Sequence, residues 1–297
     1  MNTFKSAFLT MLLSVTPSLV SAEIIREDFN DLNNWTISQW ASTAHEYSPD
    51  NVNLANGQLV LKLKGSVKPT LPKGGEVTFS PKKFLYGSFR ASIKTSQTPG
   101  SVVGWFVYKD GVPGDGNLHE VDMEILTRQP QNLHLTLHHD AYSVDYFIYK
   151  MSFDPTQSFH EYRFDWYKDS VVYFIDSQRI FKQIKKIPDD SCSIILNHWS
   201  KNISAWGGLA PTTDTYMYVD YMEYRSLDAI ENPTYVLAKN FKKQNYSVIQ
   251  NTLFWNKDTP GQIQLSDING KILSSHNMEK GSFFKLPSNQ KVLILEK

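Results

Sequence analysis

Apolar and polar residues alternate with a period of two along most of this chain. Clusters of Gly, Pro and Asn interrupt the alternation, as in NG at 56–57, PKGG at 72–75 and DGVPGDGN at 110–117. No long stretch follows the 3.6-residue period of a helix. Many short strands at this spacing predict an all-β sandwich or jelly roll. Strand-like stretches rich in β-branched and aromatic residues cover 58–65, 75–80, 87–96, 100–109, 132–139, 162–176, 192–199 and 215–225.

The pattern weakens over residues 226–236, SLDAIENPTYV, and then becomes rich in Asn and Lys. Strand-like stretches return afterwards, and DINGKIL contains the Asn269-Gly270 pair typical of a β-hairpin turn. About 60 residues suffice for a small β-domain. We therefore expect a large β-domain over 23–228 and a small C-terminal β-domain over 235–297.

The first 22 residues have the pattern of a secretory signal. Lys5 precedes an apolar run from Ala7 to Val15, and small residues precede Glu23. The run is too short for a stable membrane span, and no long apolar segment follows it, which disfavours an uncleaved anchor. We expect cleavage after Ala22 and a secreted or periplasmic protein that has no membrane association once the signal is removed.

Composition narrows the possible partners. Lys+Arg and Asp+Glu are both 30, and this balance argues against a nucleic-acid surface. Aromatic residues make up 13% of the chain, and their flat faces can fill a core or stack on sugar rings. The single cysteine, Cys192, lies in the apolar run CSIIL, so we expect a small buried hydrophobe rather than a thiol nucleophile.

The stretch HEVDMEIL at 119–126 carries the most unusual pattern. On a strand, Glu120, Asp122 and Glu124 share one face and Val121 shares the other face with its apolar neighbours. Like charges on one face repel each other, so the arrangement needs a reason. A solvated sheet face is one interpretation. Against it, no lysine or arginine alternates with the acids.

Hydrolysis of a glycosidic bond would supply that reason. It needs two carboxyl groups on either side of the bond, and a retaining enzyme holds them roughly 5–5.5 Å apart. Strand positions i and i+4 are about 13 Å apart at the backbone, so Glu120 and Glu124 must lean toward each other. The charge of Asp122 between them would raise a neighbour's pKa, which a general acid needs.

The EVDME motif resembles the signature of glycoside hydrolase family 16, in the form found in its lichenase and xyloglucan-transferase branches. Further similar segments follow in the family's order, at 84–94, 98–111, 153–181 and 195–208. The resemblance implies a concanavalin-A-like jelly-roll sandwich with a cleft. It also implies that Glu120 is the nucleophile, that Glu124 is the acid/base, and that Asp122 assists them.

The same resemblance suggests residues that contact substrate, namely Phe106, Tyr108, Asn197, Trp199 and Trp206. By alternation, His134, Thr136 and His138 share one face and could bind sugar hydroxyls; a merely polar sheet face is the alternative. A metal triad of His134, His138 and His139 is disfavoured, because His139 points to the opposite face. The resemblance also places a structural calcium at Asp220 with carbonyls around Gly57, unless Asp220 is a simple surface acid.

These observations predict a monomeric, retaining endo-β-glucanase that cleaves β-1,3-1,4-glucan and needs no catalytic cofactor. Two alternatives stay open: a transglycosylase acting on β-glucan or xyloglucan, and a glycan-binding sandwich without turnover. The C-terminal segment is similar to the sorting domains of some exported bacterial enzymes. A carbohydrate-binding module, with Phe254 and Trp255 stacking on sugars, or a structural appendage are the other interpretations.

Overall fold

A computed structural model describes residues 22–111, 114–140 and 144–231, followed by the segments 246–249, 252–255, 261–266, 272–279, 282–285 and 293–296. The predicted signal therefore lies outside the described residues except for Ala22. The strands of the large β-domain are β1 (Ile24–Glu27), β2 (Trp35–Ile37), β3 (Glu46–Tyr47), β4 (Val52–Ala55), β5 (Gln58–Leu63), β6 (Lys73–Phe79), β7 (Gly87–Lys94), β8 (Val102–Lys109), β9 (His119–Leu126), β10 (Asn132–His139), β11 (Val144–Lys150), β12 (His160–Trp166), β13 (Val171–Ile175), β14 (Gln178–Gln183), β15 (Ser193–Trp199) and β16 (Thr215–Arg225).

These strands form two eight-stranded sheets. The front sheet has the order β11-β10-β9-β8-β15-β6-β2, and β3 joins it in parallel beside β6. The back sheet has the order β14-β13-β12-β7-β16-β5-β4, and β1 also pairs with β16. The predicted all-β jelly-roll fold is confirmed.

The core lies between the two sheets and determines the orientation of β9, the strand that carries the three acids. Val121, Met123 and Ile125 of β9 point inward and are buried in the same cluster as Trp105 and Phe164. Full burial of such a side chain contributes about 1.5–3 kcal/mol to the free energy of unfolding. A register slip of one residue would bury the three acids instead, so the apolar side of β9 holds the acids on the outer face.

Most strands match the sequence pattern, and the departures have physical causes. The stretch predicted at 162–176 divides into β12 and β13. The Tyr167 N–H closes the turn between them by donating to the Ser170 carbonyl at 2.8 Å. The short strands β1 to β4 carry too few residues for an alternation to show. Strand β11 is an edge strand with several exposed apolar side chains, so its VDYFIYK sequence shows no clear buried face.

One side of the sandwich is closed by a small contact between two edge strands. The rings of Phe147 in β11 and Phe181 in β14 stack with their centroids 3.7 Å apart. Beside them, the Gln183 side-chain amide donates to the Asp145 carbonyl and carboxylate, both at 3.1 Å. These contacts join the edge of the front sheet to the edge of the back sheet.

The predicted boundary region contains a short helix, α1 (Leu227–Glu231). After it come β17 (Tyr246–Ile249), β18 (Thr252–Trp255), β19 (Gly261–Ser266), β20 (Ile272–Met278), β21 (Phe283–Lys285) and β22 (Leu293–Glu296), in two three-stranded sheets. Strands β19 and β20 pair antiparallel, as the hairpin signal predicted, and the Asn269-Gly270 pair itself lies outside the described residues. Phe254 and Trp255 fall in β18, and their stacking role and the domain boundaries stay predictions. Across the described residues, helices are too short or too polar to cross a bilayer.

Candidate active site

The three acids of β9 lie together on the outer face of the front sheet, as the alternation predicted. Residues of both neighbouring strands stand directly opposite them, because β8, β9 and β10 pair in register. The three cross-strand rows are Tyr108–Glu120–His138, Phe106–Asp122–Thr136 and Gly104–Glu124–His134. The face predicted from His134, Thr136 and His138 is thus the face that carries the acids.

A cleft of about 570 Å³ opens over this part of the sheet. Its walls combine carboxyl groups, amide and hydroxyl groups, and several large rings. It is lined by Ser38, Trp40, His45, Tyr47, Glu76, Thr78, Phe106, Tyr108, Asp110, Glu120, Asp122, Glu124, Ile195, Asn197 and Trp199. Four of the residues predicted to contact substrate, Phe106, Tyr108, Asn197 and Trp199, therefore line the cleft.

Burial raises the pKa of all three carboxyl groups, and the charges of neighbouring acids raise those of Glu120 and Asp122 further. Burial raises the pKa of Glu124 to about 7. Burial, followed by the charge of Glu124, raises the pKa of Glu120 to about 8. Burial and the charges of both glutamates raise the pKa of Asp122 well above its usual range. Glu120 thus lies close enough to Glu124 for their charges to interact.

A hydrogen bond between Asp122 and Glu120 distinguishes the three groups. The bond raises the pKa of Asp122 and lowers that of Glu120. The proton that the two groups share is donated by the Asp122 O–H to a Glu120 oxygen, so Glu120 ionises before Asp122 as the pH rises. The site can hold one carboxylate and one protonated carboxyl group side by side near neutral pH, which is the pairing needed for nucleophilic and acid catalysis on an acetal.

His138 is the basic residue closest to these acids. Its Nε2 atom lies 3.7 Å from both Glu120 Oε2 and Asp122 Oδ2. Burial lowers the pKa of His138, so its ring is neutral at pH 7 and does not act as a permanent counter-ion. In the part of the chain that the structure describes, no lysine or arginine forms an ion pair with the three acids.

Asn197 binds a further buried acidic residue, Glu76, which the sequence analysis did not identify. Its side-chain amide donates to Glu76 Oε2 at 3.1 Å and to the Tyr47 hydroxyl at 3.0 Å. The Asn197 side chain lies directly over Gly104, where a Cβ atom would collide with Asn197 Oδ1. Gly104 is thus required for a close approach beside Glu124 and not for a special backbone angle.

Glu76 is also bound from the other side by a segment that precedes the front sheet. The Ser38 hydroxyl donates to Glu76 Oε1 at 2.7 Å, and Trp40 Nε1 donates to the same atom at 3.3 Å. The rings of Trp40, His45 and Tyr47 pack edge to face around this point. In the sequence, the alternation of Glu76 with Val77 and Phe79 was the one sign of this cluster around Glu76. The segment 38–47 gave no sign of its place, because it reaches the cleft only through tertiary pairing.

The remaining predicted residues occupy different places. The ring of Trp206 packs behind Trp199 with centroids 5.6 Å apart, outside the cleft lining. His134 Nδ1 lies 2.5 Å from the hydroxyl of Tyr146 on β11. Cys192 is buried, as predicted, and burial raises the pKa of its thiol. His139 packs against His119, so it points away from His134 and His138, as expected.

The two residues predicted to bind calcium belong to the back sheet. Asp220 follows Val219, which pairs with Leu59, and Gly57 lies in the turn just before that partner strand. Both are exposed, and Asp220 supplies one carboxylate. This placement fits a shallow oxygen-ligated site, and calcium binding stays a prediction.

A match to a family model identifies the chain's relatives. Residues 39–223 match the model described as Glycosyl hydrolases family 16. The chain belongs to this family. The matched residues contain every cleft residue from Trp40 to Trp199 and the whole of β9. The predicted family is therefore confirmed.

Relatives of this family 16 chain are beta-glucanases. A Beta-glucanase of Acetivibrio thermocellus is 27% identical over 214 residues, which cover 69% of this chain and 63% of that protein. A Beta-glucanase of Brevibacillus brevis is 27% identical over 152 residues, covering 48% of this chain and 57% of the relative. The chain therefore spans less than two thirds of the length of either relative.

Solved structures share the fold of this family 16 chain at lower identity. The Bacillus licheniformis beta-glucanase superposes with a TM-score of 0.60 at 24% identity, over 68% of this chain and 97% of that one. A laminarinase catalytic domain from Thermotoga petrophila superposes with a TM-score of 0.59 at 18% identity, over 69% and 98%. At these identities the likeness establishes the jelly roll and leaves the substrate to be inferred.

Proposed function

We propose that this family 16 chain is an endo-acting β-glucanase that hydrolyses its substrate with retention of configuration. The observation that carries the proposal is the group of three carboxyls on β9, in which Asp122 donates a hydrogen bond to Glu120 and the pKa of Glu124 is raised to about 7. A protein that binds sugars without cleaving them gains nothing from three neighbouring carboxyl groups. Their burial and mutual repulsion make the unliganded protein less stable.

In the first step, the Glu120 carboxylate attacks the anomeric carbon. The new bond from Glu120 forms as the bond to the leaving sugar oxygen breaks, and Glu124 gives its proton to that oxygen. In the second step, water attacks the same carbon, Glu124 takes the water's proton, and the bond to Glu120 breaks. Each group returns to its starting state, and no metal or redox cofactor is needed for either step.

Asp122 supports both steps by holding a proton against Glu120. Its hydrogen bond stabilises the Glu120 carboxylate before attack. Burial keeps a large share of Glu124 protonated near neutral pH, where an ordinary glutamic acid would be ionised. The burial of this group thus supplies the proton that the leaving sugar needs.

The cleft fits a glucan chain rather than a small ligand. Rings of Trp40, Phe106, Tyr108 and Trp199 line it and offer apolar faces on which pyranose rings can stack. Glu76, Asn197 and Thr78 provide hydrogen-bonding groups between the rings. We assign β-1,3-1,4-glucan as the substrate, because the curated relatives are beta-glucanases and one structural neighbour is a β-1,3-1,4-glucanase (lichenase).

Export and the accessory sites complete the proposal. A polymer substrate is found outside the cytoplasm, in agreement with the predicted signal over 1–22. We place the mature protein in the periplasm or outside the cell, as a monomer. Asp220 and the carbonyls near Gly57 would hold a calcium ion whose effect is on stability, since both lie on the back sheet.

The test is release of oligosaccharides from lichenan, barley β-glucan, laminarin, xyloglucan and carboxymethylcellulose. Cleavage of lichenan and barley β-glucan, with a rapid fall in viscosity, is the expected result. Proton NMR of the first products should show the β-anomer before mutarotation. Release of the α-anomer would contradict the covalent mechanism, and cleavage of another polymer alone would contradict the substrate. Products longer than the donor would identify the transglycosylase instead.

A further inference from the structure

A second group of chemically reactive side chains lies behind β9, on the face opposite the catalytic acids. His119 is the residue just before Glu120, and it points inward because side chains alternate along a strand. His139 stands directly across from it on β10. Asp189 reaches them from the segment 184–192, which joins β14 to β15. We refer to these three residues as the His–His–Asp cluster.

The atoms of this cluster are spaced as metal ligands are. Asp189 Oδ1 lies 3.7 Å from His119 Nδ1 and 3.2 Å from His139 Nε2. One ligand atom of each residue lies within 4.8 Å of the other two. Ligands about 2.0–2.1 Å from a tetrahedral zinc ion are roughly 3.3 Å from one another. The two distances to Asp189 bracket that value.

The environment of His119 favours the form that binds a metal. Its side chain is only 4% exposed. The Asp189 backbone N–H donates to His119 Nδ1 at 3.4 Å, so this nitrogen carries no proton. That hydrogen bond is long, and a metal ion would replace it with a stronger contact.

The other side of the cluster is open. The side chains of His139 and Asp189 are 39% and 60% exposed, so an ion can enter from solvent and water can complete its coordination. Rotation of the exposed His139 ring would bring its nitrogen to bonding distance without moving the sheet. Two imidazoles and one carboxylate are a ligand set that suits zinc better than calcium or magnesium.

We propose that His119, His139 and Asp189 bind one divalent transition metal ion of the zinc class, with water as the fourth ligand. The ion ties the start of β9 and the end of β10 to the segment that leads into β15. It has a structural role, because the ligands point away from the cleft. It also fixes the backbone of the residue that precedes Glu120.

A second triad meets the same distance criterion but has a different explanation. Glu120, Asp122 and His138 also place their ligand atoms within 4.8 Å of one another. That group contains two of the proposed catalytic carboxyls, and its closeness follows from the shared proton described above. The experiment must therefore distinguish an ion behind β9 from an ion in the cleft.

The experiment titrates Zn²⁺ into the full chain, purified without a polyhistidine tag and stripped with a chelator, by isothermal titration calorimetry. Co²⁺ serves as a second probe, because tetrahedral cobalt absorbs visible light. We expect one equivalent of Zn²⁺ to bind and to raise the melting temperature. His139→Gln and Asp189→Asn, both at exposed positions, should each weaken binding by at least the roughly 10- to 100-fold that loss of an outer-shell partner costs.

His160→Gln is the matched control. His160 also pairs with an aspartate, Asp176, at 2.6 Å, but it belongs to neither triad. It should bind Zn²⁺ as the wild type does. Unchanged binding in His139→Gln and Asp189→Asn, or no saturable binding by the wild type, would overturn the proposal. Loss of binding in His138→Gln alone would place the ion in the cleft and would overturn it as well.

Discussion

The outer faces of the two sheets both carry alternating acids, but their surroundings differ. On the back sheet, Glu223 contacts Arg225 at 2.6 Å, Arg90 at 3.5 Å and Arg26 at 3.6 Å. Asp165 on the same face contacts Arg163 at 3.2 Å. On the front sheet, Glu120, Asp122 and Glu124 have one another and the neutral His138 as neighbours.

This difference shows that the pattern of acids on a strand does not decide its role; the partners of the acids decide it. Arginines neutralise the acids of the back sheet, and ion pairs of this kind hold neighbouring strands together. The acids of the front sheet lack such partners within the described residues, and burial raises their pKa values into the neutral range or above it. The outer face of the back sheet stabilises the fold, and that of the front sheet holds the protons that the proposed mechanism uses.

The largest effect is expected from Glu120→Gln. The amide cannot form the covalent intermediate, so kcat should fall on the order of 10⁴-fold or more. Glucan binding should persist, because the rings and amides of the cleft are unchanged. Initial rates on lichenan and affinity electrophoresis in a lichenan gel would measure both. Activity within a few fold of the wild type would contradict the assignment of the nucleophile.

Replacement of Asp122 separates its hydrogen bond from its charge. Asp122→Ala removes the donor to Glu120 and should reduce kcat by about 10²-fold, the scale of one proton-handling group. Asp122→Asn keeps an N–H donor toward Glu120 and should lose less. The ratio of the two kcat values tests the idea directly. Equal losses would mean that Asp122 acts through its charge alone.

The back sheet should respond in stability and not in turnover. Arg90→Met removes contacts to Glu161 at 3.6 Å and to Glu223, both partly buried, and should lower the free energy of unfolding by about 1–3 kcal/mol. Urea denaturation measures this, and kcat on lichenan should not change. The double variant Arg90→Met/Glu161→Gln should recover part of the loss. A fall in kcat with unchanged stability would contradict the division between the sheets.

A counter-ion placed on the front sheet should make it resemble the back sheet. Thr136 lies across from Asp122, so Thr136→Lys would lower the pKa of the acids beside it. Glu124 would then lose its proton at lower pH, and the alkaline limb of kcat/KM should move down by about 1 pH unit. Thr136→Met controls for side-chain size. A profile that superposes on that of Thr136→Met would count against the electrostatic explanation.

The smallest effect is a change in how stability depends on pH. Glu120 has a pKa of about 8 when folded, against its ordinary value of 4.5. Between these values the folded state binds more protons than the unfolded state, so this group loses stability as pH rises. Glu120→Gln removes that dependence, so its free energy of unfolding should fall less than that of the wild type as the pH rises from about 5 to about 8. The difference should disappear below pH 4 in urea titrations.

The sequence alone predicted the sandwich and the three acids because both follow from local alternation. Val121 and Met123 face the core, so Glu120, Asp122 and Glu124 must face outward together. The shared proton of Asp122 and Glu120 did not follow from the pattern, because an ideal strand geometry takes no account of how side chains lean. The family motif supplied the roles that periodicity could not.

Tertiary pairing explains what the sequence did not reveal. Trp40 and Tyr47 reach the cleft because β3 pairs in parallel with β6, and no local pattern announces that contact. Asp189 meets His119 across 70 residues of chain, from a loop without periodicity. The pairing of β19 with β20 was predictable from the Asn269-Gly270 signal, because these two strands are close together in the sequence.

The stacked pair Phe147–Phe181 has a consequence for how the molecule comes apart. The two edge strands that it joins have neighbours on one side only, and several side chains of β11 are exposed. Local opening begins where buried contacts are fewest. Amide hydrogens of β11 and β14 should therefore exchange with deuterium earlier than those of β8 or β15. The two sheets would separate first at this edge, and β9, which carries the three acids, lies two strands away from β11.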